Sequence, residues 1–302
     1  NLAQGNFTPQ IFSQKVQKFF RRASVVEDIT NTDYAGEIEN FGDTVKIIKE
    51  PTITVKDYAR GQTVDTQVLA DDQITMTVDQ GSYFAFKVDD IEERQSHVNF
   101  EALATSSGAY SLKKNYDYNV LKFIYDNAST SASDTGTDGS PIDGDAAVDT
   151  LANVVSAAKK VLDKNDVPEE NRWLVAPPEF FEQLRKAGGK LSDQSVMNDG
   201  GVSQIRNGKV TDRPLFGFNM YATNAIAVSS GSAANHTFGS AGSNEFAFLY
   251  GHMSGVATVN HIAKTELIRD PDSFADVVRG LHVFGRKILR SEAVRSGVIT
   301  IG

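Results

Sequence analysis

The sequence predicts an α+β fold built around one long helix. Three observations carry this. An apolar strand, SYFAFKV at 82–88, leads into a helical pattern that runs to residue 127; two alternating stretches before it read as a hairpin; and the last third, from residue 245, reads as successive strands. On a helical projection Ile91, Val98, Ala102, Ala109, Tyr116, Val120 and Ile124 recur at steps of seven and four, which puts them on one stripe. Asp89 and Asp90 stand where carboxylates cap free N–H groups and complement the helix dipole, and the small polar stretch 128–139 ends the helix. At 1.5 Å per residue such a helix spans roughly 55 Å. That is longer than one domain wraps, so part of it is expected to face other subunits. Gly108, about 1 kcal/mol less favourable than Ala, is a candidate bend or break.

The remaining elements follow in order. Residues 8–24 read as a short amphipathic helix with Pro9 in its first turn and Ile11, Phe12, Val16, Phe19 and Phe20 on one side. Lys15, Lys18, Arg21 and Arg22 give it a basic flank, read either as an arm for an acidic neighbour or an enclosed genome, or as a solvated face. Gly42 and Asp43 turn into a strand. Val45, Ile47, Ile53 and Val55 alternate outward, and Ile74, Met76 and Val78 alternate back, so 44–80 reads as a long hairpin whose arms reach about 45 Å. A two-stranded ribbon is only marginally stable alone and needs a surface to lie on. Its first arm carries Lys46, Lys49, Lys56 and Arg60 and its far end Asp65, Asp71 and Asp72. Pairing with an adjacent copy and simple protection of strand edges are both open readings of these charges.

After the long helix, 129–144 is rich in Ser, Thr, Gly and Asp and reads as a linker. A second unit begins there. Ala147, Leu151, Val154, Val155, Ala158, Val161 and Leu162 define an amphipathic helix, RWLVAPP at 172–178 a buried strand stopped by two prolines, and 179–186 a further helix; Trp173 is read as core. Asn207 and Gly208 form a turn dipeptide, and 229–243 a second flexible segment. The last third is expected to form one sheet of consecutive antiparallel strands, with turns at Gly255, 270–272 and 291–297.

Composition narrows the function. The chain has 302 residues, 40% hydrophobic and 23% charged, enough for a substantial core, and no apolar run approaches the roughly 20 residues of a membrane-crossing helix. It has no cysteine, so disulfides, thiolate metal sites and cysteine nucleophiles are excluded, which fits a reducing compartment. A net charge of -9 argues against general coating of nucleic acid. The first residue is Asn1 rather than Met, and N-terminal cleavage or trimming is expected. No phosphate loop, nucleophile elbow or dinucleotide fingerprint occurs. His97, His236, His252, His261 and His282 are dispersed; His252 and His261 are the one pair that a sheet might bring together, and structural histidines are expected. No catalytic, cofactor-binding or metal-ligating residue is predicted, and the chain is not expected to be an enzyme.

The ordered set of arm, NTDYAGEIENFGDTVKI, long hairpin, YFAFKVDDIEERQS, long helix, APPEFFEQL, GFNMYATN and FADVVRGLHVFGRKILR resembles the major capsid proteins of tailed bacteriophages, whose fold is shared with herpesvirus shells. The resemblance implies an N-terminal arm at 1–43 and an extended loop at 44–81 that overlies the neighbouring subunit. It implies a peripheral domain strand and spine helix within 82–142, an axial domain at 143–226, and the rest of the peripheral domain's antiparallel sheet with the C-terminus at 227–302. It further implies hexamers and pentamers in an icosahedral shell around double-stranded DNA, assembled in the bacterial host cytoplasm with scaffolding protein and portal, and no membrane. An encapsulin-like compartment shell with enzyme cargo is the alternative. Some members join a loop lysine to a neighbour's asparagine by an isopeptide bond. Lys46, Lys49 and Lys56 lie on the matching loop, yet no carboxylate catalyst can be assigned, and no crosslink is predicted. Assembled particles boiled in detergent should therefore run as a single band at the chain's mass on a denaturing gel; a ladder, or material that fails to enter, overturns this.

Overall fold

The computed structural model describes residues 24–34, 42–51, 53–61, 63, 66–67, 73–89, 100–137, 140–147, 150–184, 214–226, 245–270 and 275–301. The basic flank Lys15, Lys18, Arg21 and Arg22 lies outside them, as do Asp65, Asp71, Asp72 and Asp90, the Asn207–Gly208 turn and segment 229–243. A single turn, α1 (Val26–Ile29), precedes the hairpin strands β1 (Thr44–Ile48) and β2 (Gln73–Thr77). Then come β3 (Gln80–Asp89) and the long helix α2 (Phe100–Asn127). The short pieces β4 (Ser129–Thr130), α3 (Ala132–Thr135) and β5 (Ile142–Asp143) lead to α4 (Thr150–Asp163), β6 (Arg172–Ala176), α5 (Pro178–Leu184) and β7 (Asn219–Ala222). The last third supplies β8 (Glu245–His252), β9 (Val256–Arg269), β10 (Ala275–Ile288) and β11 (Val294–Thr300).

The last third does not form one sheet. β9 and β10 join β3 in a three-stranded antiparallel sheet, whereas β8 and β11 join β6 and β7, with β4 and β5 added in parallel along β11. The reason lies in the connections. Residues 253–255 and 291–293 are tight 3₁₀ turns that redirect the chain from one sheet to the other, so β8 does not pair with β9, nor β10 with β11. Gly297, expected in a turn, is inside β11, where an added Cβ would stand 2.4 Å from Phe248 Cζ and 2.5 Å from the Thr135 carbonyl oxygen. Stretch 129–144, read as a linker, is knitted into the sheet by β4 and β5 and held by Gly136, whose φ of +74° suits glycine.

Alternation decides which residues fill which layer. In β6, Trp173 and Val175 face α2 while Leu174 and Ala176 face α4 and α5; in β8, Ala247 and Leu249 face α2 while Phe248 and Tyr250 face the other side. The strand is buried throughout because it lies between β7 and β8 with helices on both faces, which explains its unbroken apolar run. Leu151, Val154, Val155, Ala158, Val161 and Leu162 all bury from α4, as their spacing predicts; Ala147 lies before the helix and is exposed. Pro178 opens α5 instead of merely stopping β6, since a first-turn proline lacks only an N–H that would have no helical partner.

The long helix differs from its forecast in three ways. Asp89 is the last residue of β3, opposite Ala275, and so is not a helix cap. Gly108 does not split α2, which runs unbroken through it; its missing Cβ makes room for the Phe84 ring, whose Cδ2 would stand 2.9 Å away. Among the described side chains of α2, full burial falls in the C-terminal half, where Tyr116, Val120, Leu121 and Ile124 are at most 1% exposed, while Ala109 is exposed. Ala109 shares a face with Tyr116 one heptad on, but it borders a cavity beside β10 instead of packed core.

The pairing of β11 with the 129–143 stretch generates a test. Gly297→Val should lower unfolding free energy by about 1–3 kcal/mol, because its side chain collides with Phe248 and the Thr135 backbone. Chemical denaturation followed by Trp173 fluorescence reads this; an unchanged midpoint would show that α3 does not close over β11.

Candidate functional site

The hairpin is anchored at its base and bare beyond it. β1 and β2 pair in antiparallel register from Thr44 opposite Thr77 to Ile48 opposite Gln73. Met76 and Val78 bury against Ala257, Val259 and Val283 on the outer face of the three-stranded sheet, with Val45 and Ile47 partly covering them. Beyond Ile48 the described residues carry no strand, so the ladder is shorter than the alternation of Ile53 and Val55 predicts. Pro51, which has no N–H to donate, and the lack of an underlying surface there account for the early stop. Across the loop the Thr54 amide donates to Gln67 Oε1 at 3.0 Å.

What this leaves on the surface is apolar. Ile48 is 72% exposed, Ile53 71%, Val55 91% and Tyr58 69%. Four large apolar side chains in eleven residues is more than isolated exposure and marks a contact surface. Of the charges predicted to mediate contact, Lys46 lies on the exposed side of β1 opposite Thr75, and Lys49, Lys56 and Arg60 are exposed along the loop; the acidic residues meant to face them lie outside the described residues.

A second exposed patch was not singled out from the sequence. On the outer face of the three-stranded sheet, past the hairpin base, Tyr83 stands opposite Leu281 and both are solvent-exposed, with Ile268 nearby opposite Val277. Two ion pairs flank it: Arg279 with Glu266 at 2.6 Å, and Lys87 with Asp270 at 2.5 Å. The signal was present, since Tyr83, Ala85 and Lys87 alternate with Phe84 and Phe86, but a strand read as uniformly apolar hides it. The inner face carries Phe84 and Phe86 toward α2; an added Cβ on Gly280 would come within 2.5 Å of Phe84, so this ring is gripped between β10 and the helix.

The remaining polar groups have structural roles. His252 Nδ1 accepts from the Ser254 amide at 3.1 Å, capping the turn after β8. The His261 side chain lies outside the described set, and among the described residues no three His, Cys, Asp or Glu gather as metal ligands. Arg172, 2% exposed, donates from Nη1 to Asp163 at 2.6 Å and from Nε to the Pro168 carbonyl at 2.8 Å, tying the end of α4 to β6. No helix among the described residues is long and apolar enough to cross a membrane.

The fold recurs in solved structures. A chain of Mycobacterium phage Che8 superposes with a TM-score of 0.80 at 28% identity, over 98% of each chain. The capsid of the cyanophage P-SCSP1u gives 0.69 at 16% identity over 98% of this chain and 94% of that one. The mature capsid of bacteriophage PhiM1 gives 0.68 at 17%, over 96% and 91%. No curated protein matches the chain. The sequence pattern of phage capsid proteins matches residues 70–296, from the return arm of the hairpin to β11, and with three quarters of its length so matched the chain belongs to the phage capsid protein family.

Proposed function

We propose that this major capsid protein builds its shell by laying the exposed hairpin of each copy on the next, in hexamers and pentamers of an icosahedral particle that encloses double-stranded DNA. The observation that carries this is the exposed apolar run Ile48, Ile53, Val55 and Tyr58 on a segment whose base is packed against the three-stranded sheet. Full burial of such side chains stabilises by about 1.5–3 kcal/mol each. A head-to-tail contact of that kind repeats around a ring and closes it. In this reading 1–43 is the arm, 44–81 the extended loop, 82–142 the peripheral strand and spine helix, 143–226 the axial domain with β8 and β11 completing its sheet, and the remainder of 227–302 the peripheral sheet. Scaffolding protein and portal are the expected assembly partners, the host cytoplasm the place of assembly, and the virion capsid the destination. The role is structural rather than enzymatic. The family match and the phage capsids among its structural neighbours favour this over a compartment with enzyme cargo.

Val55→Asp and Tyr58→Asp test the contact. Both positions are more than two thirds exposed, so the melting temperature of the unassembled chain should stay unchanged. Sedimentation and electron microscopy of the chain expressed with its scaffold should show the parent as closed shells and both variants as unassembled subunits. Shells of normal size from both variants, or a parent that stays monomeric under all conditions, would sink the proposal.

A further inference from the structure

His282 lies in β10 at the contact between the three-stranded sheet and α2. It is 5% exposed, edge-on to Tyr116 at 5.6 Å and stacked on Phe284 at 5.4 Å between ring centroids. Nε2 stands 2.6 Å from the side-chain oxygen of Asn260 on β9, so Nε2 carries the proton and Nδ1 is left a bare acceptor. Nδ1 is buried without a hydrogen-bond partner. Burial holds this imidazole below its ordinary value.

A second proton must go to Nδ1, and among the described residues no acceptor stands within hydrogen-bond reach of it. From α2, Lys113 is paired with Glu27 of α1 at 3.3 Å, and Asp117 accepts from Ser24 at 2.6 Å. The Tyr116 phenol stays neutral, its pKa pushed up to about 12 by burial. β3 offers Ser82 opposite His282, which carries no charge. Within β10, Arg286 adds a positive charge rather than removing one; it is held by the Asn119 carbonyl at 2.6 Å. Stacking on Phe284 attracts an imidazolium, but one ring face does not replace the water lost from a buried N–H. A cavity of about 340 Å³ opens beside the ring, lined by Phe84, Ala109, Leu112 and Tyr116 among others, and gives a displaced imidazolium a route to water.

We propose that His282 is an acid-sensitive latch between the long helix and the three-stranded sheet: neutral, it holds α2 against β10; protonated, it leaves the contact through the neighbouring cavity and the helix loosens. The sign follows from the depressed value. The open state binds more protons, so the latch is fully closed above about pH 6.5 and is lost as pH falls through the folded value. The device belongs to the single chain and does not depend on the assembly proposed above.

Hydrogen exchange of the α2 amides, corrected for intrinsic pH dependence, reads the latch in the full-length chain. In the parent, protection across residues 105–124 should fall by up to about tenfold per pH unit between about pH 6.5 and the folded value, and level off below it. In His282→Phe and His282→Gln, which cannot acquire this charge, protection should be the same at about pH 7.5 and 5.5. The second variant keeps a polar neighbour for Asn260 if the first does not fold. The His282 Cε1–H resonance should titrate below its ordinary midpoint. Parent protection that ignores acid, variants that lose as much as the parent, or a His282 midpoint at or above the ordinary value would each overturn the proposal.

Discussion

The C-terminal half of α2 holds the two sheets together. Tyr116, Val120, Leu121 and Ile124 share one core with Phe284 of the three-stranded sheet and with Trp173, Val175, Ala247, Leu249 and Val294 of the six-stranded one. No strand is common to both sheets. Their relative position therefore depends on this helix, the paired redirecting turns and the small wedge of α1, whose Val26 and Ile29 are fully buried in the same core. With each fully buried apolar side chain worth about 1.5–3 kcal/mol, this seam is comparable to the whole net stability of a typical domain. Thr30, the cap of α1, adds a buried 2.7 Å bond to Thr258 of β9. Residues 105–113 of α2 are only partly covered and border a cavity.

From that seam the hairpin acquires a fixed root. β2 lies across the outer face of the three-stranded sheet, and Gly285 permits the approach, since a Cβ there would stand 2.9 Å from the Thr77 carbonyl oxygen. Root and tip thus differ in kind. The root is packed, hydrogen-bonded and apolar on one side only, whereas the outgoing arm from Ile48 to Tyr58 presents apolar groups that are exposed to solvent. A reaching segment with a rigid base can be aimed, which a free linker cannot.

How much of this could be read beforehand depended on whether a feature was local. The α4 face, the buried β6 strand, the Trp173 core position and the alternation within each hairpin arm are properties of short stretches, and the burial and pairing they imply are present. Strand partnership is not local. EFAFLYGH and VITI look like neighbours of the strands between them, yet a pair of 3₁₀ turns sends them to the other sheet. Stretch 129–144 has the composition of a linker because its pairing uses backbone groups of β11, which composition does not report. Gly108 and Gly297 read as a breaker and a turn because the aromatic rings that require their small size, Phe84 and Phe248, are distant in sequence. The charged residues of the hairpin were legible as exposed, but the apolar ones beside them carry the stronger signal, and alternation alone assigned them to a ladder that ends early.

The topology also constrains when the molecule becomes competent. β3 finds its partner only in β10, nearly two hundred residues later, and β4 and β5 find theirs only in β11. The surface that anchors the hairpin is made of β9 and β10 residues, Ala257, Val259 and Val283. Contacts of such long sequence separation form late, because loop closure must precede them. The hairpin is synthesised early but has no root until the last third has folded beneath it. A chain that would bridge to its neighbours through that hairpin therefore completes both of its own sheets before it can hold the bridge in place.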